Sequence, residues 1–148
     1  MKTVNILIIS VLSLLMATTN GFAQEKLKCG DLHIGKFKIV DSIHNAITLI
    51  ERNDTTETEY VRRTGAAAAK DHPFTLLFHI RWVDSCTYEL KLIKSWYHVS
   101  KGELKLPPSK RMVVNRILST GKKAYIIQTY INDRTHANFL QRVIKVDD

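Results

Sequence analysis

Two cysteines and six histidines are the residues of this 148-residue chain best suited to metal or redox chemistry. His33, His44, His72, His79, His98 and His136 are scattered, with no pair at the i, i+2 spacing of a strand face or the i, i+4 spacing of a helix face. A zinc site needs several ligands converging tetrahedrally, so surface or half-buried histidines are the expectation and no metal or cofactor is assigned. Cys29 and Cys86 form no Cys-x-x-Cys pair. In an oxidising compartment such a pair is expected to close a structural disulfide, for which chain entropy gives about 4 kcal/mol at this loop length. No Gly-x-Ser-x-Gly elbow is present to raise a serine nucleophile. A glycosidase would need two carboxylates on facing strands; Asp31, Asp84 and Glu89 are the candidates, and nothing in the sequence brings them together. No catalytic residue is assigned.

The aromatics Phe74, Phe78, Trp82, Tyr88, Tyr125 and Tyr130 are either the lining of a ligand cavity or plain core. The elements that carry them read as strands. Phe74, Leu76, Phe78, Ile80 and Trp82 occupy every second position and so share one apolar face. Asp84-Ser85-Cys86 turns the chain, and Tyr88, Leu90 and Leu92 alternate on the return, the pattern of a hairpin. Further runs are expected over Gly35–Val40, Ala46–Arg52, Thr56–Arg63, Met112–Leu118, Ala124–Asn132 and Asn138–Val146. Thr56–Arg63 is polar enough to be an edge or solvent-facing strand. Ala66–Ala69 suits one helical turn, and Trp96–Lys110 is irregular with a loop at Pro107-Pro108. The fold class is therefore all-β: an antiparallel meander of about eight strands, forming a small barrel or a two-layer sandwich.

Ahead of this domain, Lys2 precedes a nearly unbroken apolar run from Ile6 to Ala17, and Gly21-Phe22-Ala23 puts small residues at the two positions a signal peptidase reads. This order is that of a secretory signal helix over 1–23, leaving a single β domain over 24–148. The run is short for a membrane span, and Cys29 follows Lys26-Leu27-Lys28 rather than the apolar run, which argues against a lipidated cysteine. The expectation is an exported product, periplasmic or secreted, without a stable span. With 22 Lys+Arg against 14 Asp+Glu the chain is basic at +8. Such a surface suits anionic envelope components, although the charges are spread along the strands and export removes nucleic acid from reach.

Cys29-Gly30-Asp31-Leu32-His33-Ile34-Gly35-Lys36-Phe37 and Arg81-Trp82-Val83-Asp84-Ser85-Cys86-Thr87-Tyr88-Glu89-Leu90 resemble a family of small exported Bacteroidota proteins of unknown function. Its pattern is a Cys, an Asp and a Gly-x-Phe near the mature N-terminus, then Arg-Trp-x-x-x-Cys-x-Tyr-x-Leu mid-chain. Some members carry the name DNA topoisomerase IV, which these residues do not support: the chain has no ATPase phosphate loop and is too short for a cleavage core. A looser resemblance is to lipocalin-like barrels. It rests on Gly35-Lys36-Phe37 at a first strand and on Arg142 on the last, where those barrels place an Arg over the first-strand aromatic. Asp41-Ser42-Ile43 and Asp54-Thr55-Thr56 look like the short acceptor that Bacteroidota use for O-glycosylation, which would place the modification on Ser42 or Thr55.

The functional expectation is a non-catalytic exported β domain that binds a small apolar or amphipathic ligand. The alternative is an envelope interaction module, for protein or glycan, using the basic surface or the Thr56–Arg63 edge; an enzyme of unassigned class is third. Intact mass after export checks the processing: the expected product begins near Gln24 and carries no lipid, and a mass matching 1–148 or an added diacylglycerol contradicts it.

Overall fold

The computed structural model describes residues 28–69, 71–107, 112–132 and 139–146. The expected signal segment and its cleavage point lie outside the described residues, as does His136. Among the described residues no helix is long and apolar enough to cross a membrane.

Among the described residues nine strands follow one another: β1 (Gly35–Asp41), β2 (Ala46–Arg52), β3 (Thr56–Arg63), β4 (Phe74–Asp84), β5 (Thr87–Val99), β6 (Gly102–Lys105), β7 (Met112–Thr120), β8 (Ala124–Ile131) and β9 (Phe139–Val146). Every pairing is antiparallel. β5 bridges β4 to β7, and β9 returns to β1, so eight strands close into a barrel and β6 is added outside on β5. Closure removes the free edges an open sheet would leave, and it decides between the barrel and the sandwich.

Short side chains set the turns. Asn45 takes the left-handed conformation at φ 51°, and the Asp41 carboxylate accepts the His44 N–H at 3.0 Å, tightening the β1–β2 hairpin. Asn53 Oδ1 accepts the N–H groups of Thr55 and Thr56 before β3. Asp84 accepts the Cys86 N–H at 2.7 Å, and this bond holds its carboxyl below the ordinary range. Gly35 opens β1 at φ 142°, where a side chain is strained, and the Phe37 ring folds back to 3.4 Å from where a Cβ would stand. The Gly-x-Phe spacing is thus a packing requirement at the barrel's end.

Two expectations are corrected. Trp96–Lys110 is not irregular throughout: β5 runs on to Val99, its far half pairing with β6 instead of β7. A bulge at Ile93 shifts the register, since Leu77 pairs with Lys94 and Phe78 with Leu92; the extra residue bends the strand, which stays paired with β4 while β6 replaces β7 on its other side. Nor is β3 an edge. It pairs with β2 on one side and β4 on the other, and Glu57 is buried.

Alternation with this register sorts the inward residues by height. Toward one end Phe37, Ile50, Ile80, Tyr88, Leu90, Ile117, Tyr125, Ile127 and Val143 are all buried and form a filled core. A one-turn 3-10 helix over Gly30–Leu32 covers this end with buried Leu32, and Cys29 ties it to the β4–β5 turn through a disulfide to Cys86. Toward the other end the inward residues Thr48, Val61, Phe74, Leu76, Leu92, Val113 and Ile131 are only half-buried. The barrel therefore has a floor and an open half.

Trp82 stands where the plug meets the wall. Its ring stacks on His33 at 3.5 Å and lies 4.8 Å from Tyr88, while His33 Nε2 is 3.0 Å from the Ser85 carbonyl oxygen. It is half-buried, so the expected cost of Trp82→Ala falls at the low end of the core-Trp range, about 3 kcal/mol. Urea unfolding of wild type and variant checks this; an unchanged midpoint would mean the stack contributes nothing.

Candidate functional site

Arg52 ends β2, and the inward direction of Ile50 carries two residues on to it. A guanidinium pointing into a barrel must find partners for its charge and its donors. Nε donates to Glu57 at 2.5 Å, Nη1 to the Leu32 carbonyl at 2.8 Å and Nη2 to the Tyr88 hydroxyl at 2.7 Å. Its Cζ lies 4.4 Å from the Tyr88 ring centroid, 4.9 Å from Phe37 and 5.9 Å from Trp82, within cation–π range of all three. Burial alone would lower the Arg52 pKa; the surrounding Tyr88, Glu57 and Tyr125 more than offset this and hold it above its ordinary value. Burial also pushes up the Tyr88 phenol, and that of Tyr125 to about 12, against the pull of Arg52 in both cases. Both phenols are neutral at physiological pH. The Tyr125 side chain is 1% exposed and its hydroxyl has no hydrogen-bond partner.

Glu59 lies two residues beyond Glu57 on β3, on the same inward face and one step nearer the open half. Its register neighbours are Ile50 on β2 and Leu76 on β4, both apolar and inward. No described cation forms an ion pair with it. Burial first, then the charge of Glu57 and a shared hydrogen bond with it, raise its pKa to about 8, with Arg52 pulling the other way. At neutral pH this is a protonated carboxylic acid at the junction of floor and open half.

The residues singled out from sequence divide accordingly. Phe78, Tyr88 and Tyr125 are floor core; Trp82 flanks Arg52; Phe74 lies in the open half, edge-on to Tyr97 at 5.6 Å. Tyr130 turns out of the barrel and donates to Gln128 at 2.7 Å. Ser42 and Thr55 are exposed in the β1–β2 and β2–β3 turns. Asp31, Asp84 and Glu89 form no pair: Asp31 is exposed on the plug, Asp84 caps a turn, and Glu89 binds Arg81 on the outer face. Arg142 does not sit over the first-strand aromatic. It is exposed on β9, where Val143 points inward instead, and Arg52 from β2 covers Phe37.

Arg52, Glu57 and Glu59 were not marked in the sequence. Their signal was the alternation Glu57-Thr58-Glu59, which is the same for a strand with one face in water and for a barrel strand with a polar inner face. Among the described residues no three of His, Cys, Asp or Glu gather to hold a metal ion. No family model, curated protein or solved structure matches the chain.

The raised Glu59 pKa makes stability depend on pH. Between its ordinary 4.5 and about 8 the unfolded chain gives up this proton and the folded chain keeps it. Stability from this group is thus fully present below the lower value, falls as pH rises, and levels off above the upper one. Glu59→Gln is expected to flatten this part of the profile and to exceed wild type in urea midpoint at pH 8.5. The same slope in both proteins would place Glu59 in water.

Proposed function

We propose that this chain binds a small amphipathic molecule inside the barrel, without transforming it. The apolar part lies along Val61, Phe74, Leu76 and Leu92, and the polar part rests at the Glu59 end of the floor. The observation that carries this reading is the change in burial along the inward faces: Phe37, Ile50, Ile80 and Leu90 are buried toward one end, Val61, Phe74, Leu76 and Leu92 are half-buried toward the other, and the Glu59 carboxyl stands between them. A purely structural barrel gains more by filling its interior to native density. The disulfide accords with an exported protein, and we extend the proposal to that location and to the exported family the two Cys-containing motifs resemble.

A second reading is favoured by a different feature. Val40, Ile43, Phe139 and Leu140 are 52%, 86%, 42% and 63% exposed and line a groove of about 420 Å³ between the β1–β2 turn and the start of β9, which reaches in to Ile39. An apolar surface of this kind suits a protein partner.

Titration with N-phenyl-1-naphthylamine, a neutral probe that fluoresces in apolar surroundings, separates the two. Saturable binding is expected, abolished by Leu76→Trp with Leu92→Trp and retained by Ile43→Asp with Leu140→Asp. The reverse pattern would move the site to the groove between the β1–β2 turn and β9, and no binding to wild type would remove the proposal.

A further inference from the structure

We propose that the polar end of the bound molecule is a monocation, an alkylammonium or similar amine head group, seated against Glu59. This rests on the lumenal reading above and adds the charge of the ligand to it.

Three ionisable groups of opposite kinds face one another on the floor, and their geometry leaves one unmatched. Glu57 is matched by Arg52. Arg52 in turn is committed on all three nitrogens, to Glu57, the Leu32 carbonyl and the Tyr88 hydroxyl. Its Cζ also lies over the Tyr88 and Phe37 rings. At the mouth, Arg63 binds Asp71 and the His44 carbonyl, and Asp41 binds His44. When ionised, Glu59 therefore brings the floor to a net charge of about −1, inside a protein whose overall charge is +8. An anionic head group would meet two carboxylates beside an Arg52 whose nitrogens are already committed. A cationic one would meet a carboxylate flanked by Ile50 and Leu76, in surroundings that screen little.

Binding of this kind moves a proton. Below pH 8 the unliganded carboxyl is protonated; the arriving ammonium keeps its own proton, Glu59 loses its proton to the solvent, and an ion pair forms. About one proton is released per ligand, so affinity rises with pH up to the Glu59 pKa by about tenfold per unit.

The test is displacement of bound N-phenyl-1-naphthylamine at pH 6.5 by decylammonium, decanoate and decanol, each below its aggregation threshold, with calorimetry in buffers of different ionisation enthalpy. Decylammonium is expected to displace the probe at least about tenfold more effectively than decanoate, with release of about one proton. In Glu59→Gln, with competition read relative to that variant's own probe affinity, both the preference and the proton release are expected to be lost. If decanoate or decanol competes as well as decylammonium, or if the preference survives in Glu59→Gln, the cation assignment is overturned while lumenal binding stands. If the probe does not bind wild type, both fall together.

Discussion

A guanidinium enclosed in a barrel is the constraint on which the rest of this structure depends. Taking one charge out of water costs several kcal/mol even after relaxation, and Arg52 is 2% exposed. It is held there by groups from four parts of the chain. β2 supplies Arg52, β3 supplies Glu57, β5 supplies Tyr88, and the N-terminal plug supplies the Leu32 carbonyl. One side chain thus joins the plug to three strands, β2, β3 and β5. The disulfide makes the same join covalently, from Cys29 beside Leu32 to Cys86 beside Tyr88. Plug and barrel wall are consequently one unit, with the polar node at its centre and the aromatic rings of Phe37, Tyr88 and Trp82 around it.

The node also divides the interior. Around it, apolar side chains such as Phe37, Ile50 and Leu90 fill the space; farther from the plug, Val61, Phe74, Leu76 and Leu92 are half-buried. A second carboxylate beside an ion pair that is already complete has no structural need to be there. Glu59 is destabilised by burial and by Glu57, and Arg52 relieves this only in part. Groups held at such a cost are concentrated where proteins bind or react. A head group able to take up the unmatched charge, below an apolar tail, accounts for both the carboxyl and the half-buried apolar residues Val61, Phe74, Leu76 and Leu92.

Much of the wall was legible in the sequence. The Phe74–Trp82 stripe is a period-2 pattern long enough to be unambiguous, and it became the inner face of β4. Gly35-Lys36-Phe37 pointed to a strand start, and the two cysteines to a bridge between distant segments. The polar floor was hidden for a physical reason: alternation reveals that a strand has two different faces, not which of them is inside. Glu57 and Glu59 read as the solvent side because lone carboxylates belong there, and only the closure of β9 onto β1 encloses them. Arg52 looked like the polar end of an apolar strand for the same reason. The Ile93 bulge was equally silent, since continued alternation through Lys94 and Trp96 looks like disorder once the register slips by one.

The claim that one buried ion pair organises the floor is tested most directly by a double-mutant cycle at its two ends. Arg52→Met and Glu57→Leu each leave a buried charge unmatched and should cost about 3–5 kcal/mol in unfolding free energy, whereas the double variant, with both charges gone, should recover much of that loss. Single costs that simply add would mean that Arg52 and Glu57 act independently, and would contradict the account.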